Sequence, residues 1–261
     1  MAAPAIVLVA RGDGDPAVDA ALSLITERLS QLRPDLDVNL GFLGGGEPGV
    51  IEVVESLAAG HTTEIAVIPL DLVSAADHSP VVARARDAIN EAHSLVNIVI
   101  ARPIGPATEL LSVIDERLRD SLHRASAVEV DALVLAAPEG GDLRGQGLLA
   151  RRARQWSAHH RLPVQLAVND PTGRGTAQAI AALRGQGRRH IAVGSLFLTP
   201  GPIYRAQALA AQRAGAIAVS DVIGADPRIV ELALARYAFA AMDLLDSEPL
   251  EPLGPDEPFT P

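Results

Sequence analysis

An α/β protein of two similar domains, each a small parallel β-sheet flanked by helices with a cleft between them, is what this sequence predicts. Short apolar runs alternate with longer amphipathic ones, the pattern of βα units feeding a parallel sheet. The pattern then repeats. Val38, Leu40, Leu57, Ile65, Ala66, Val67, Leu70 and Leu72 face identical residues 126 positions on, at Val164, Leu166, Leu183, Ile191, Ala192, Val193, Leu196 and Leu198. Hydrophobic residues make up 48% of the chain but aromatics only 3%, so the core is built from Ala, Val, Leu and Ile, small enough for helices to lie closely on a parallel sheet.

Ala5–Ala10 reads as a buried strand. Val18, Ala21, Leu22, Ile25, Leu29 and Leu32 then follow helical spacing, with Pro34 as a stop. Val38–Leu43 is the second strand, and Gly44–Gly46 turns toward Pro48 and a helix carrying Val50, Ile51, Val54 and Leu57. Ile65–Leu70 is the third strand, Pro80 behind Ser79 opens the next helix, and Val96–Ala101 is the fourth strand. A helix from about Pro106 places Leu110, Leu111, Ile114 and Leu118 on one face. The second half follows the same plan. Val7-Leu8 returns as Val134-Leu135, and Ile104-Gly105 as Ile223-Gly224. The expected boundaries are a first domain at 1–122, a second at 128–246 and a flexible, acidic, Pro-rich tail at 247–261.

Composition excludes several classes. The absence of cysteine removes disulfides, thiolate zinc sites and cysteine-ligated iron–sulfur clusters, so any metal is held by nitrogen or oxygen. A net charge of −10 argues against a nucleic-acid partner. No apolar run reaches the length of a membrane span or a signal-peptide core, which implies a cytoplasmic protein without a membrane partner.

In parallel α/β sheets ligands collect at the carboxyl ends of strands, so the loops after the first and third strand of each repeat are the candidate site. The first loop is Ala10-Arg11-Gly12-Asp13-Gly14-Asp15-Pro16, in which Asp15 reads as a helix cap and Arg11 faces the cleft at the strand's end. The second runs from Ile68-Pro69-Leu70-Asp71-Leu72 through Val73-Ser74-Ala75-Ala76-Asp77 to His78. His159 and His160 lie near the end of the helix with Trp156 and read as water-facing groups opposing the helix dipole. His61, His93, His123 and His190 fall at element ends, and Arg151, Arg152 and Arg154 form a polar helix face. Asp13, Glu47, Asp71 and Asp77 are oxygen donors that loop and cap chemistry also explains.

Val9-Ala10-Arg11-Gly12 with Asp15-Pro16, then Pro69-Leu70-Asp71-Leu72 with His78 and Asp87, resembles the two-repeat sirohydrochlorin chelatases, relatives of the anaerobic cobalt chelatases and of protoporphyrin ferrochelatase. In that family the first motif is Ala-His-Gly, and the second ends in a His that begins a helix. The resemblance covers roughly residues 4–245, with departures. Arg11 stands at the first histidine position, Pro138 at its counterpart in the second repeat, and Tyr204 falls opposite His78, which alone keeps an imidazole.

The resemblance implies insertion of Fe2+ into sirohydrochlorin to form sirohaem, with cobalt insertion for cobalamin as the alternative, by a monomer or homodimer with no permanently bound cofactor. His78 is then the catalytic residue and metal ligand, since neutral imidazole accepts a proton or binds the ion. Arg11, Gly12, Arg174, Tyr204 and Arg205 are the implied substrate-binding residues, the arginines pairing with the carboxylates of the macrocycle. Loss of three imidazoles leaves open a non-catalytic tetrapyrrole or metal carrier. A two-domain ligand-binding module of the periplasmic type is a further alternative, against which the missing export signal counts.

Overall fold

The computed structural model describes residues 3–92 and 96–246; the expected tail at 247–261 and His93 lie outside the described residues. The first repeat contains β1 (Ala5–Asp13), α1 (Pro16–Leu32), β2 (Val38–Gly45), α2 (Val50–Ala59), β3 (Glu64–Pro69), α3 (Pro80–Glu91), β4 (Asn97–Ile100) and α4 (Leu110–Arg124). The second contains β5 (Ala132–Pro138), α5 (Leu143–His160), β6 (Val164–Asn169), α6 (Arg174–Gly185), β7 (Ile191–Ser195), α7 (Pro202–Arg213), β8 (Ala218–Val219) and α8 (Pro227–Asp246). Each repeat forms one four-stranded, wholly parallel sheet, in the orders β2-β1-β3-β4 and β6-β5-β7-β8. Among the described residues no helix is long and apolar enough to cross a membrane.

Strand alternation sorts the core into layers. On β1, Val7 and Val9 face outward to α2 and α3, whereas Ile6, Leu8 and Ala10 face inward. β5 does the same, with Val134 and Ala136 facing the layer of α6 and α7 while Leu133, Leu135 and Ala137 face inward. Between the two sheets α1, α4, α5 and α8 share one apolar core that includes Leu22, Ile25, Ile114, Trp156 and Ile229. Each fully buried side chain of this kind contributes about 1.5–3 kcal/mol, so the two halves are fused rather than tethered.

The repeats at 1–122 and 128–246 are not spatially self-contained. α4, the last helix of the first repeat, packs on β7 and β8, while α8, the last helix of the second, packs on β3, β4 and α1. The crossing is pinned by polar contacts. Arg228 at the start of α8 reaches Asp226 (2.8 Å) and Glu116 of α4 (2.5 Å), and Arg117 of α4 lies 3.5 Å from Asp226. Arg236 of α8 donates to the Pro103 and Ile104 carbonyls at 3.0 and 3.1 Å.

Two local expectations shift. β1 continues past Ala10 to Asp13, because Arg11, Gly12 and Asp13 stay in register with Leu43, Gly44 and Gly45. α4 starts at Leu110 rather than near Pro106.

Candidate functional site

A cavity of about 450 Å3 opens between the two domains at the carboxyl ends of the strands, within the usual size range of small-ligand sites. All four candidate loops reach it. From the first repeat come Ala10, Arg11 and Asp13 at the end of β1, Leu70 to Val73 after β3, and Pro80, Val81 and Arg84 of α3. From the second come Pro138 to Gly140 after β5, Leu196 to Thr199 after β7, and Pro202 to Tyr204 at the start of α7. The floor is largely apolar.

Two cross-domain ties flank the opening. Asp15 caps α1 by accepting from the Ala17 amide at 2.9 Å, and its other oxygen pairs with Arg205 of α7. The Arg205 guanidinium, followed by the Ala17 amide, holds the Asp15 carboxyl below its ordinary range. On the other side Asp142 caps α5 at Gly145 (2.7 Å) and also accepts from the Ala75 and Ala76 amides at 2.8 and 2.9 Å. Burial works to raise the Asp142 carboxyl, but the amides of Ala76, Gly145 and Ala75 outweigh it and the value falls. Both loops are thereby fixed before any ligand arrives.

Of the catalytic and substrate-binding residues that the resemblance implied, Arg11 and Tyr204 line the cavity, and His78, Gly12, Arg174 and Arg205 do not; the oxygen donors Asp13 and Asp71 line it too. Arg11 is exposed and has no hydrogen-bond or ion-pair partner among the described residues. Tyr204 offers its ring, which stacks edge-on against Phe197 with centroids 5.8 Å apart, while its hydroxyl donates to the Ser220 carbonyl at 3.1 Å. Burial and the nearby Asp221 raise that phenol to about 12, so Tyr204 stays neutral and presents an apolar face.

Arg205 is already engaged by Asp15 and by the Pro200 carbonyl at 2.6 Å, so it is an interdomain tie rather than a free anchor. Arg174 is exposed on the first turn of α6, away from the cavity. Gly12 is buried against β2; a Cβ there would lie 1.4 Å from the Gly45 carbonyl oxygen, so its role is backbone packing.

His78 is exposed in the turn before Ser79, which caps α3, and it makes no hydrogen bond or ion pair among the described residues. It sits two residues before Pro80, which lines the cavity. Nor is Tyr204 its counterpart. Leu72 and Leu198 are 126 apart, but the first residues of α3 and α7, Pro80 and Pro202, are 122 apart. The second loop is four residues shorter, and His78 corresponds in the fold to Pro200.

Sequence reasoning missed Arg84 and Glu139, both of which line the cavity. Neither has an ion-pair partner among the described residues. A signal for each existed. Arg84 is one helical turn beyond Val81, and Glu139 directly follows the motif position held by Pro138. Asp71 instead turns inward on its own loop, accepting from Val73 N (2.8 Å) and Ser74 Oγ (2.6 Å), and Asp77 pairs with Arg102 at 2.7 Å.

A CbiX family model matches residues 5–121, which span the whole first sheet and the motif loops. The first repeat is thus similar to the CbiX family. A sirohydrochlorin cobaltochelatase of Priestia megaterium is 26% identical to it over 140 residues, covering 52% of this chain and 44% of that relative. The chain therefore spans less than half the length of that curated relative. Among solved structures, SirB from Bacillus subtilis with Fe3+ superposes with a TM-score of 0.71 at 19% identity, over 94% of this chain and 98% of the other. SirB from Bacillus subtilis subspecies spizizenii in complex with cobalt gives a TM-score of 0.67 at 18% identity, over 92% and 96%. At such identities the superpositions establish the fold alone, which is shared across both repeats.

Proposed function

We propose that this protein is a sirohydrochlorin chelatase that inserts Fe2+ to give sirohaem. The observation that carries the reading is the interdomain cavity, built from the strand-end loops of both repeats and holding, beside Asp13, Asp71 and Glu139, two cations, Arg11 and Arg84, that have no partner among the described residues of an acidic protein. A polycarboxylated macrocycle needs such anchors, and Arg pairs with carboxylates bidentately. Leu72, Phe197, Leu198 and the Tyr204 ring supply apolar surface for the flat face of the ligand.

Insertion exchanges two pyrrole protons for one divalent ion, so the site must accept protons and hold the metal transiently. Glu139 lies in the cavity with a carboxylate able to do either. His78, exposed two residues before Pro80 of the lining, is the imidazole that would pass the ion inward. The metal is substrate here, not a resident group.

The decisive assay mixes the full chain with sirohydrochlorin and each metal under anaerobic conditions and follows the absorbance of the macrocycle. Acceleration over the metal-only control is expected, and none would overturn the proposal. Co2+ is the second choice of metal, favoured by the name of the Priestia relative; the ratio of rates at equal free metal decides between them, because Irving–Williams affinities alone do not. A non-catalytic carrier is favoured by one observation, that among the described residues no imidazole lines the cavity. It is distinguished by tight binding of metallated product without turnover.

A further inference from the structure

A second set of metal-ligand side chains lies away from the cavity, where the last turn of α5 meets α4. Asp115 Oδ1 of α4 accepts from Trp156 Nε1 at 2.7 Å and lies 2.7 Å from His160 Nε2. The His159 and His160 rings are 4.8 Å apart between centroids. One donor atom from each of Asp115, His159 and His160 lies within 4.8 Å of the other two, and none of the three lines the cavity. The two histidines are therefore not simply facing water.

We infer that Asp115, His159 and His160 form a site for a first-row divalent ion such as Co2+, Ni2+ or Zn2+. Two imidazoles and a carboxylate are the donor set these borderline ions take, with water in the remaining position. Metal–ligand bonds of about 2.0–2.2 Å place tetrahedral donors roughly 3.4 Å apart. His160 and Asp115 must open slightly and His159 must close by up to about 1.4 Å, a movement open to exposed side chains at a helix end. Asp115 is held more firmly, since its side chain is 17% exposed and the indole N–H fixes its orientation, as outer hydrogen bonds do for metal-ligating carboxylates. The exposed imidazoles leave an entry path. A bound ion would clamp α4, from the first repeat, to α5, from the second.

The chain's one tryptophan makes the site observable. Trp156 is 1% exposed and bonded to the ligating carboxylate, so Co2+ bound there quenches its emission. Titration of the full chain with Co2+ should give saturable quenching that Zn2+ reverses by competition. His159→Gln and His160→Gln should each weaken it by about tenfold or more, with far-ultraviolet circular dichroism confirming folding. Asp115→Asn keeps an acceptor for the indole and should weaken it likewise. Glu139→Gln, in the cavity, should leave it unchanged. Absence of quenching, indifference to both histidine changes, or loss of quenching in Glu139→Gln would overturn the assignment; the last would place the ion in the cavity instead.

Discussion

Arg11 and Arg84 enter the cavity from different elements, β1 and α3, and their side chains are not spent on partners among the described residues. Arg11→Ala and Arg84→Ala should each weaken tetrapyrrole binding by about 1.5–3 kcal/mol, the worth of a charge-assisted hydrogen bond, with the saturated rate nearly kept. Glu139→Gln should do the reverse, lowering turnover while equilibrium binding persists; binding titrations beside steady-state rates separate the two. Were His78→Ala alone to abolish turnover, the imidazole and not Glu139 would be the proton acceptor. Asp226 gives a residue-scale prediction of another kind. It is 4% exposed, and although burial works to raise its carboxyl, Arg228 outweighs burial and the folded value is lowered. A lowered folded value means that the stabilisation is complete above the unfolded value of about 3.9 and is lost as pH falls through the folded one. Asp226→Asn should therefore cost about 1.5–3 kcal/mol at neutral pH and flatten the acid limb of a stability-against-pH curve; an unchanged acid limb would disprove the linkage. Arg11 was legible as a cavity-lining residue because it stands at a strand end in a motif. That His78 falls outside the lining was not, because spacing along a chain orders residues without orienting them.

Elements were legible where hydrophobic period and punctuation agree. Pro16 behind Asp15 and Pro80 behind Ser79 open α1 and α3 as expected, with both caps made. The end of β1 was not legible, because Arg11 and Asp13 carry no apolar signal and only the β2 register keeps them in the strand. The fixed 126-residue offset misled in the same way. It holds through β7, contracts to 122 at α7, and has fallen to 119 where Ala218 of β8 takes the place of Val99 of β4. The repeats also differ in how closely helices approach the sheet. Gly194 of β7 admits Trp156 and Ile114, and a Cβ there would stand 2.5 Å from both side chains; the first repeat has Ile68 at that point. Gly194→Ala should cost about 1–3 kcal/mol by overpacking, measurable by urea denaturation, and a neutral result would mean that α4 and α5 are free to shift.

At the scale of the molecule, the two parallel sheets and the cleft were readable from composition and repeat, whereas the exchange of α4 and α8 was not. An amphipathic helix announces an apolar face but not which sheet it covers. With the core continuous between the sheets, calorimetry should show one cooperative unfolding transition, and two separated transitions would contradict the exchange. The crossing also sets an order in time. β4 ends at Ile100, but the helix that covers β3 and β4 begins at Pro227. At a synthesis rate of about 5–20 residues per second, roughly 6–25 s separate the two. During that interval the inner face of the first sheet, including Ala66 and Ile68, has no α8 to cover it. A ribosome-bound chain stopped near residue 200 should therefore be cut readily by protease within its first hundred residues, and a chain released after residue 246 should resist.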